Sequence, residues 1–131
     1  MKKNMFRMII ILILLLLTSC NTSKDTTTLK DGTYVLEHTG EEAVLFPSVT
    51  ITGNDISFTY DVLSSYKPYG SYTIDNNVLT MKTSDGKYKY VFKVEGDKIA
   101  FQESESSSVR LTDGRIGIKI TDNAEFKLKV N

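Results

Sequence analysis

From Gly32 onward, apolar residues recur at every second position. Tyr34 and Leu36 alternate with Thr33, Val35 and Glu37, and Val49 and Ile51 with Thr50 and Thr52. Longer runs follow at Ile56, Phe58, Tyr60 and Val62, and again at Tyr88, Tyr90, Phe92 and Val94. Tyr72 and Ile74, Leu79 and Met81, Ile99 and Phe101, and Val109 and Leu111 form shorter pairs. Ile116, Ile118 and Ile120, then Phe126, Leu128 and Val130, complete the series. Successive side chains of a strand point to opposite faces, so this period predicts strands with one buried and one wet face. A helix would space its apolar residues by three and four, and nothing after residue 31 does so.

The punctuation agrees. Gly53-Asn54-Asp55, Asp75-Asn76-Asn77, Ser84-Asp85-Gly86, Glu95-Gly96-Asp97 and Asp113-Gly114 separate the runs. These residue types accept the backbone of tight hairpin turns. Short strands joined by short turns pair with their sequence neighbours as an antiparallel meander. Roughly eight to ten strands in one small domain hide their apolar face best by curling the sheet on itself. The predicted fold is therefore all-β: a small up-and-down barrel or curled half-barrel over residues 32–131, with a two-sheet sandwich as the alternative. Residues 104–108 (SESSS) read as a polar loop. Residues 115–130 are expected either to add strands or to lie across the barrel's edge.

The amino terminus follows a different pattern. Lys2, Lys3 and Arg7 precede an unbroken apolar run over residues 8–17. A spanning helix needs roughly 20 apolar residues, so this run reads as the core of a signal helix. Leu17-Thr18-Ser19-Cys20 is similar to the lipobox of bacterial lipoproteins: an aliphatic residue, two small ones, then cysteine. The resemblance implies a diacylglycerol on Cys20 and cleavage before it, which anchors the protein on the extracytoplasmic side of the cell membrane. The alternative is an ordinary secretory signal with a cysteine near the cut. The implied division is 1–19 signal peptide, 20–31 lipidated cysteine and flexible polar tether, and 32–131 β domain. Two acyl chains suffice for stable anchoring. Cys20 is the sole cysteine, so no disulfide staples the fold.

Composition narrows the partners. Removing residues 1–19 leaves 112 residues carrying 13 basic against 16 acidic groups, a net charge of −3. That length suits one domain, expected to be a monomer. A mildly acidic chain does not suit nucleic acid or a second, electrostatic hold on the membrane.

The search for chemistry yields little. His38 is the single histidine, expected at the barrel rim, and one histidine alone makes neither a metal site nor a partnered base. Glu41 and Glu42 are adjacent, so they point apart and read as loop solvation. Ser64, Ser65 and residues 106–108 lack a histidine or lysine arrangement that would activate a nucleophile. No metal, cofactor or catalytic residue is assigned, and no enzyme activity is expected.

The segment that stands apart is residues 63–72, LSSYKPYGSY. Tyr66, Lys67, Tyr69 and Tyr72 form the candidate binding loop, since tyrosine offers large contact area and a polar tip. The alternative is that Tyr66 and Tyr69 cap the barrel end and seal the core. Phe46-Pro47-Ser48 has no readable position beside it.

The succession GTYVLE, then SVTITGNDISFTYDVLSSYKPYGSYTIDNNVLTMKTSDGKYKYVFKVEGDKIAFQ, resembles a domain of small Gram-positive lipoproteins. It is similar to the extracytoplasmic tail of membrane metallopeptidases of the beta-lactam sensor type, and to lipocalin-like small barrels. LSSYKPYGSY and DGKYKYVFKVEGD carry most of the likeness. The resemblance implies an extracytoplasmic accessory or sensor-like module. The chain lacks the HExxH helix of the peptidases, so their activity does not carry over. The expected function is a lipid-anchored, non-catalytic binding or accessory module for a small apolar molecule, an envelope fragment or a membrane protein. The alternative is an interaction or regulatory subunit of a membrane sensor, peptidase or transporter. An interior cavity separates small-molecule from protein binding, and large aromatics at nearly every inward position imply a filled interior.

Overall fold

A computed structural model describes residues 27–38 and 46–130. The signal segment, Cys20, Glu41 and Glu42 lie outside the described residues. Eight strands follow in order: β1 Gly32–Leu36, β2 Ser48–Thr52, β3 Asp55–Thr59, β4 Tyr69–Asp75, β5 Val78–Thr83, β6 Lys89–Glu95, β7 Lys98–Phe101 and β8 Glu125–Leu128. Each pairs antiparallel with the next, and β8 returns to β1 through Tyr34↔Leu128 and Leu36↔Phe126. The sheet is a closed barrel, and the sandwich alternative is set aside.

The register follows from the alternation. Val49 faces Phe58, Ile51 faces Ile56, Leu79 faces Phe92, Met81 faces Tyr90, and Val94 faces Ile99. Slipping any pair by one residue would turn a whole apolar set outward. Full burial of one such side chain contributes about 1.5–3 kcal/mol, so register errors are strongly disfavoured. The turns match their residues: Asn76 and Asn77 both take positive φ, 49° and 61°, as a two-residue hairpin with right-handed twist requires. Gly70 serves a different need. A Cβ there would stand 1.9 Å from the Lys82 carbonyl oxygen, so the close approach of β4 to β5 admits only glycine.

The up-and-down order sorts the connections by end. The turns β2–β3, β4–β5 and β6–β7 lie at one end, the tight-turn end, together with the chain's entry at residues 27–31. The long connections β1–β2, β3–β4 and β7–β8 lie at the other, the loop end, with the shorter β5–β6 link. Residues 27–31 are fastened under the tight-turn end and are not free tether. Leu29 is buried, Asn77 Oδ1 accepts from the Thr27 hydroxyl, and the Lys30 carbonyl accepts from the Tyr34 hydroxyl at 2.9 Å. Asp31 accepts the Gly53 amide at 2.9 Å.

Two expected strand runs are absent. Residues 109–111 and 115–120 form no strand, although Val109, Ile118 and Ile120 still pack against the core. Asp113 turns the chain there: its carboxylate accepts the Arg115 amide at 2.9 Å and its carbonyl accepts the Gly117 amide at 3.2 Å. Of residues 115–130, only β8 joins the sheet. The β3 run also ends early, at Thr59, leaving Val62 exposed rather than inward. The SESSS stretch holds a single 3-10 turn, Glu103–Glu105, after which the Ser106 and Ser107 hydroxyls accept the Val91 and Lys89 amides of β6 at 2.8 and 3.0 Å.

Candidate functional site

The barrel interior is filled by its own side chains. Phe58 sits at the centre, its ring within 5.9 Å of those of Tyr60, Tyr90, Phe92, Phe101 and Phe126. Most of these pairs meet edge to face, the arrangement that suits the ring quadrupoles. Leu29 closes the tight-turn end, and Val109, Ile118 and Ile120 of the β7–β8 crossover pack onto the core. A concavity lies outside the barrel. It is an open groove of about 770 Å³ over β1, bordered by Val35, Phe46, Ser48, Leu128, Lys129 and Val130. Sites that hold small ligands bury most of the ligand's surface, and this groove is open along its length.

The loop end carries the distinctive polar chemistry. Asp61 follows β3 and is buried, with 7% of its surface exposed. Its carboxylate accepts the Leu63 amide at 3.0 Å and the Thr112 amide at 2.6 Å, which clasps the β3–β4 loop to the β7–β8 crossover. The hydrogen bonds from Thr112 hold the carboxyl below the ordinary aspartate range, with the Leu63 amide and Lys67 charge adding to the effect. Lys67 Nζ reaches the Asp61 carbonyl at 3.4 Å.

A second cluster lies at the β5–β6 link. Asp85 accepts the Thr83 hydroxyl at 2.6 Å, the Tyr66 hydroxyl at 2.9 Å and the Lys87 amide at 3.0 Å. These bonds, the Thr83 hydroxyl foremost, lower its pKa. Tyr66 also packs against Tyr88 with ring centres 5.2 Å apart, and Tyr88 stacks on Tyr90 at 6.4 Å. The Tyr90 hydroxyl is fully buried and has no hydrogen-bond partner. Burial, with Tyr60 close by, raises its pKa far above the usual phenol range.

The candidate binding residues are therefore divided. Tyr66 folds down onto the β5–β6 link, its hydroxyl on Asp85 and its ring against Tyr88. Lys67 is exposed beside Asp61. Tyr69 opens β4 on its outer face, 51% exposed, and caps nothing. Tyr72 lies within β4 on the opposite face, its hydroxyl donating to the Gly53 carbonyl at 2.9 Å near the tight-turn end. Tyr69 and Tyr72 are three positions apart on one strand, so they cannot share a surface. The four residues form no single site.

His38 is exposed, its ring centre 6.3 Å from that of Phe46. The Ser64 hydroxyl accepts the Tyr66 amide at 3.1 Å, which stabilises the loop. Among the described residues, no three of histidine, cysteine, aspartate and glutamate gather as metal ligands, and no helix is long and apolar enough to cross a membrane.

Sequence reasoning missed Asp61. It read the residue as the polar member of a continuing strand, whereas its neighbours Val62 and Leu63 are exposed, 42% and 50%. The signal for its role lies 51 residues away at Thr112, beyond the reach of any local pattern. Comparison with protein-family models, with curated proteins and with solved structures finds no match to this chain.

Proposed function

We propose that this protein is a lipid-anchored module of the extracytoplasmic membrane surface, held by diacylglycerol on Cys20, that works by binding and not by catalysis. The observation that carries the reading is the contrast between a filled interior and an elaborated end. Phe58 and the rings around it occupy the space that a lipocalin-type ligand would need. The long connections, by contrast, gather at the end opposite the point where the anchored chain enters. Loops on a rigid scaffold are where recognition usually resides. This favours a protein partner over a small apolar molecule, and so favours the accessory or regulatory subunit of a membrane sensor, peptidase or transporter. The Ser64 hydroxyl is engaged with its own loop, which supports a role without catalysis.

The test is growth with a radiolabelled fatty-acid precursor, followed by membrane fractionation, for the wild-type chain and Cys20→Ser. Label and membrane association in the wild type, both lost in Cys20→Ser, are the expected result. Label retained by the variant, or none on the wild type, would sink the anchor.

A further inference from the structure

We infer that residues 108–120 of the β7–β8 crossover form a strap across the loop-end mouth of the barrel, latched shut by the Asp61 carboxylate and able to open while the barrel stays intact. The device is independent of the lipid anchor.

The strap is pinned at both ends. Before it, the Ser107 amide donates to the Lys89 carbonyl of β6 at 2.7 Å, and the Ser107 hydroxyl accepts the Lys89 amide at 3.0 Å. After it, the Asn123 amide donates to the Phe101 carbonyl of β7 at 2.7 Å, and the Phe101 amide donates to the Ala124 carbonyl at 2.9 Å. Between these pins the polar hold is slight. Among the described residues, Thr112 is the one member of residues 108–120 that hydrogen-bonds outside the strap, and its partner is Asp61.

The remaining hold is apolar. Val109, Ile118 and Ile120 pack onto the core. The hydrogen-bonded wall is complete around the barrel, so these side chains reach the core only through an open end. The strap joins the end of β7 to the start of β8, which places it at the loop end. The latch stands at the same mouth. Asp61 directly follows Tyr60, whose ring packs on Phe58 and lies 6.1 Å from that of Tyr90.

Two features let the strap move by itself. β8 pairs with both β7 and β1, so closure of the barrel needs none of residues 108–120. The strap also carries its own organisation. Asp113 accepts the Arg115 amide on its carboxylate and the Gly117 amide on its carbonyl, and the Leu111 side chain occupies the space that a Cβ on Gly117 would take. Segments with few hydrogen bonds to the body of a protein open at less cost than global unfolding. A buried carboxylate is a decisive latch for such a segment, because losing its donors leaves a charge that must find water. Shut, the strap buries Ile120 and seals the core beneath it. Open, it admits solvent to the mouth.

The experiment uses the full chain, purified in detergent. Hydrogen exchange of the Thr112 amide reports the latch, and it is followed beside amides of β5 and β6 in urea below the unfolding transition. The Thr112 rate is expected to exceed theirs and to stay flat in urea, since a local opening exposes little surface, while the slowest amides of the wall speed up. Thiol labelling gives a second reading, with the wild-type chain as the background from Cys20. Ile120→Cys, under the strap, is expected to react with a maleimide at least tenfold faster than Leu79→Cys in the wall. Adding Asp61→Asn is expected to speed Ile120→Cys at least tenfold further, because Asn offers one acceptor oxygen for the two amides that Asp61 serves through Oδ1 and Oδ2. The wild-type exchange keeps the test valid if a core cysteine prevents folding. Thr112 exchanging in step with the wall at every urea concentration, equal labelling of the two thiols, or an Ile120→Cys rate indifferent to Asp61→Asn would overturn the proposal.

Discussion

The backbone amide of Thr112 donates to the buried carboxylate of Asp61 at 2.6 Å, across 51 residues of chain. This one bond fastens the long β7–β8 crossover to the β3–β4 loop, and the same carboxylate shapes the loop by accepting the Leu63 amide. The sign of its pH dependence follows. The folded pKa is depressed, so the clasp contributes fully above the unfolded aspartate value of about 3.9 and is lost as pH falls through the folded value. Melting of the wild type and Asp61→Asn is compared from pH 7 down to pH 2. The variant is expected to melt lower at neutral pH, with the gap closing in acid. A gap independent of pH would show that the charge is not what holds the crossover.

Phe58 is the keystone of the core, with five aromatic rings around it. Phe58→Ala is expected to cost about 3–5 kcal/mol through lost burial and the cavity left behind. Tyr69→Ala, on the outer face of β4, is expected to stay within about 0.5 kcal/mol. Urea unfolding of both checks the assignment of faces, and similar costs for the two would contradict it.

Tyr90 combines complete burial with an unpartnered hydroxyl. An unsatisfied buried polar group costs about 1–3 kcal/mol, so Tyr90→Phe is expected to stabilise the protein by roughly 1 kcal/mol. The raised phenol pKa gives stability that is present below the unfolded value of about 10 and lost as pH rises above it. Alkaline titration at the tyrosinate absorbance should show one fewer late-titrating tyrosine in Tyr90→Phe than in the wild type. A destabilised Tyr90→Phe would mean that the hydroxyl has a partner in solution.

Gly70 separates close backbone approach from flexibility as the reason for a glycine. Gly70→Ala places a methyl against the Lys82 carbonyl and is expected to cost roughly 3 kcal/mol or more. Gly114→Ala meets open space and is expected to stay within about 0.5 kcal/mol. Thermal melts of the two variants give the comparison, and equal effects would reject the steric account.

The alternation of apolar residues determined the class of fold and most of the interior, while closure into a barrel and not a sandwich was decided by the tertiary structure. Tyr34, Val49, Ile51, Ile56, Phe58, Leu79, Met81, Phe92, Ile99 and Phe101 all point inward as their period demands. That much is local, because a strand's two faces are set by the pleat alone. The same alternation failed at Ile116, Ile118 and Ile120, because a strand also needs an unpaired edge to join. Once β8 pairs with both β7 and β1, the barrel has no edge to offer. Tyr66, Lys67, Tyr69 and Tyr72 are close in sequence, yet the turn into β4 and the pleat send them to different faces and ends. The packing of Leu29 beneath the barrel, the clasp between Asp61 and Thr112, and the exposure of Val62, Leu63 and Ile116 were decided by tertiary structure. Each depends on contacts between distant segments that exist only once closure has fixed where those segments lie.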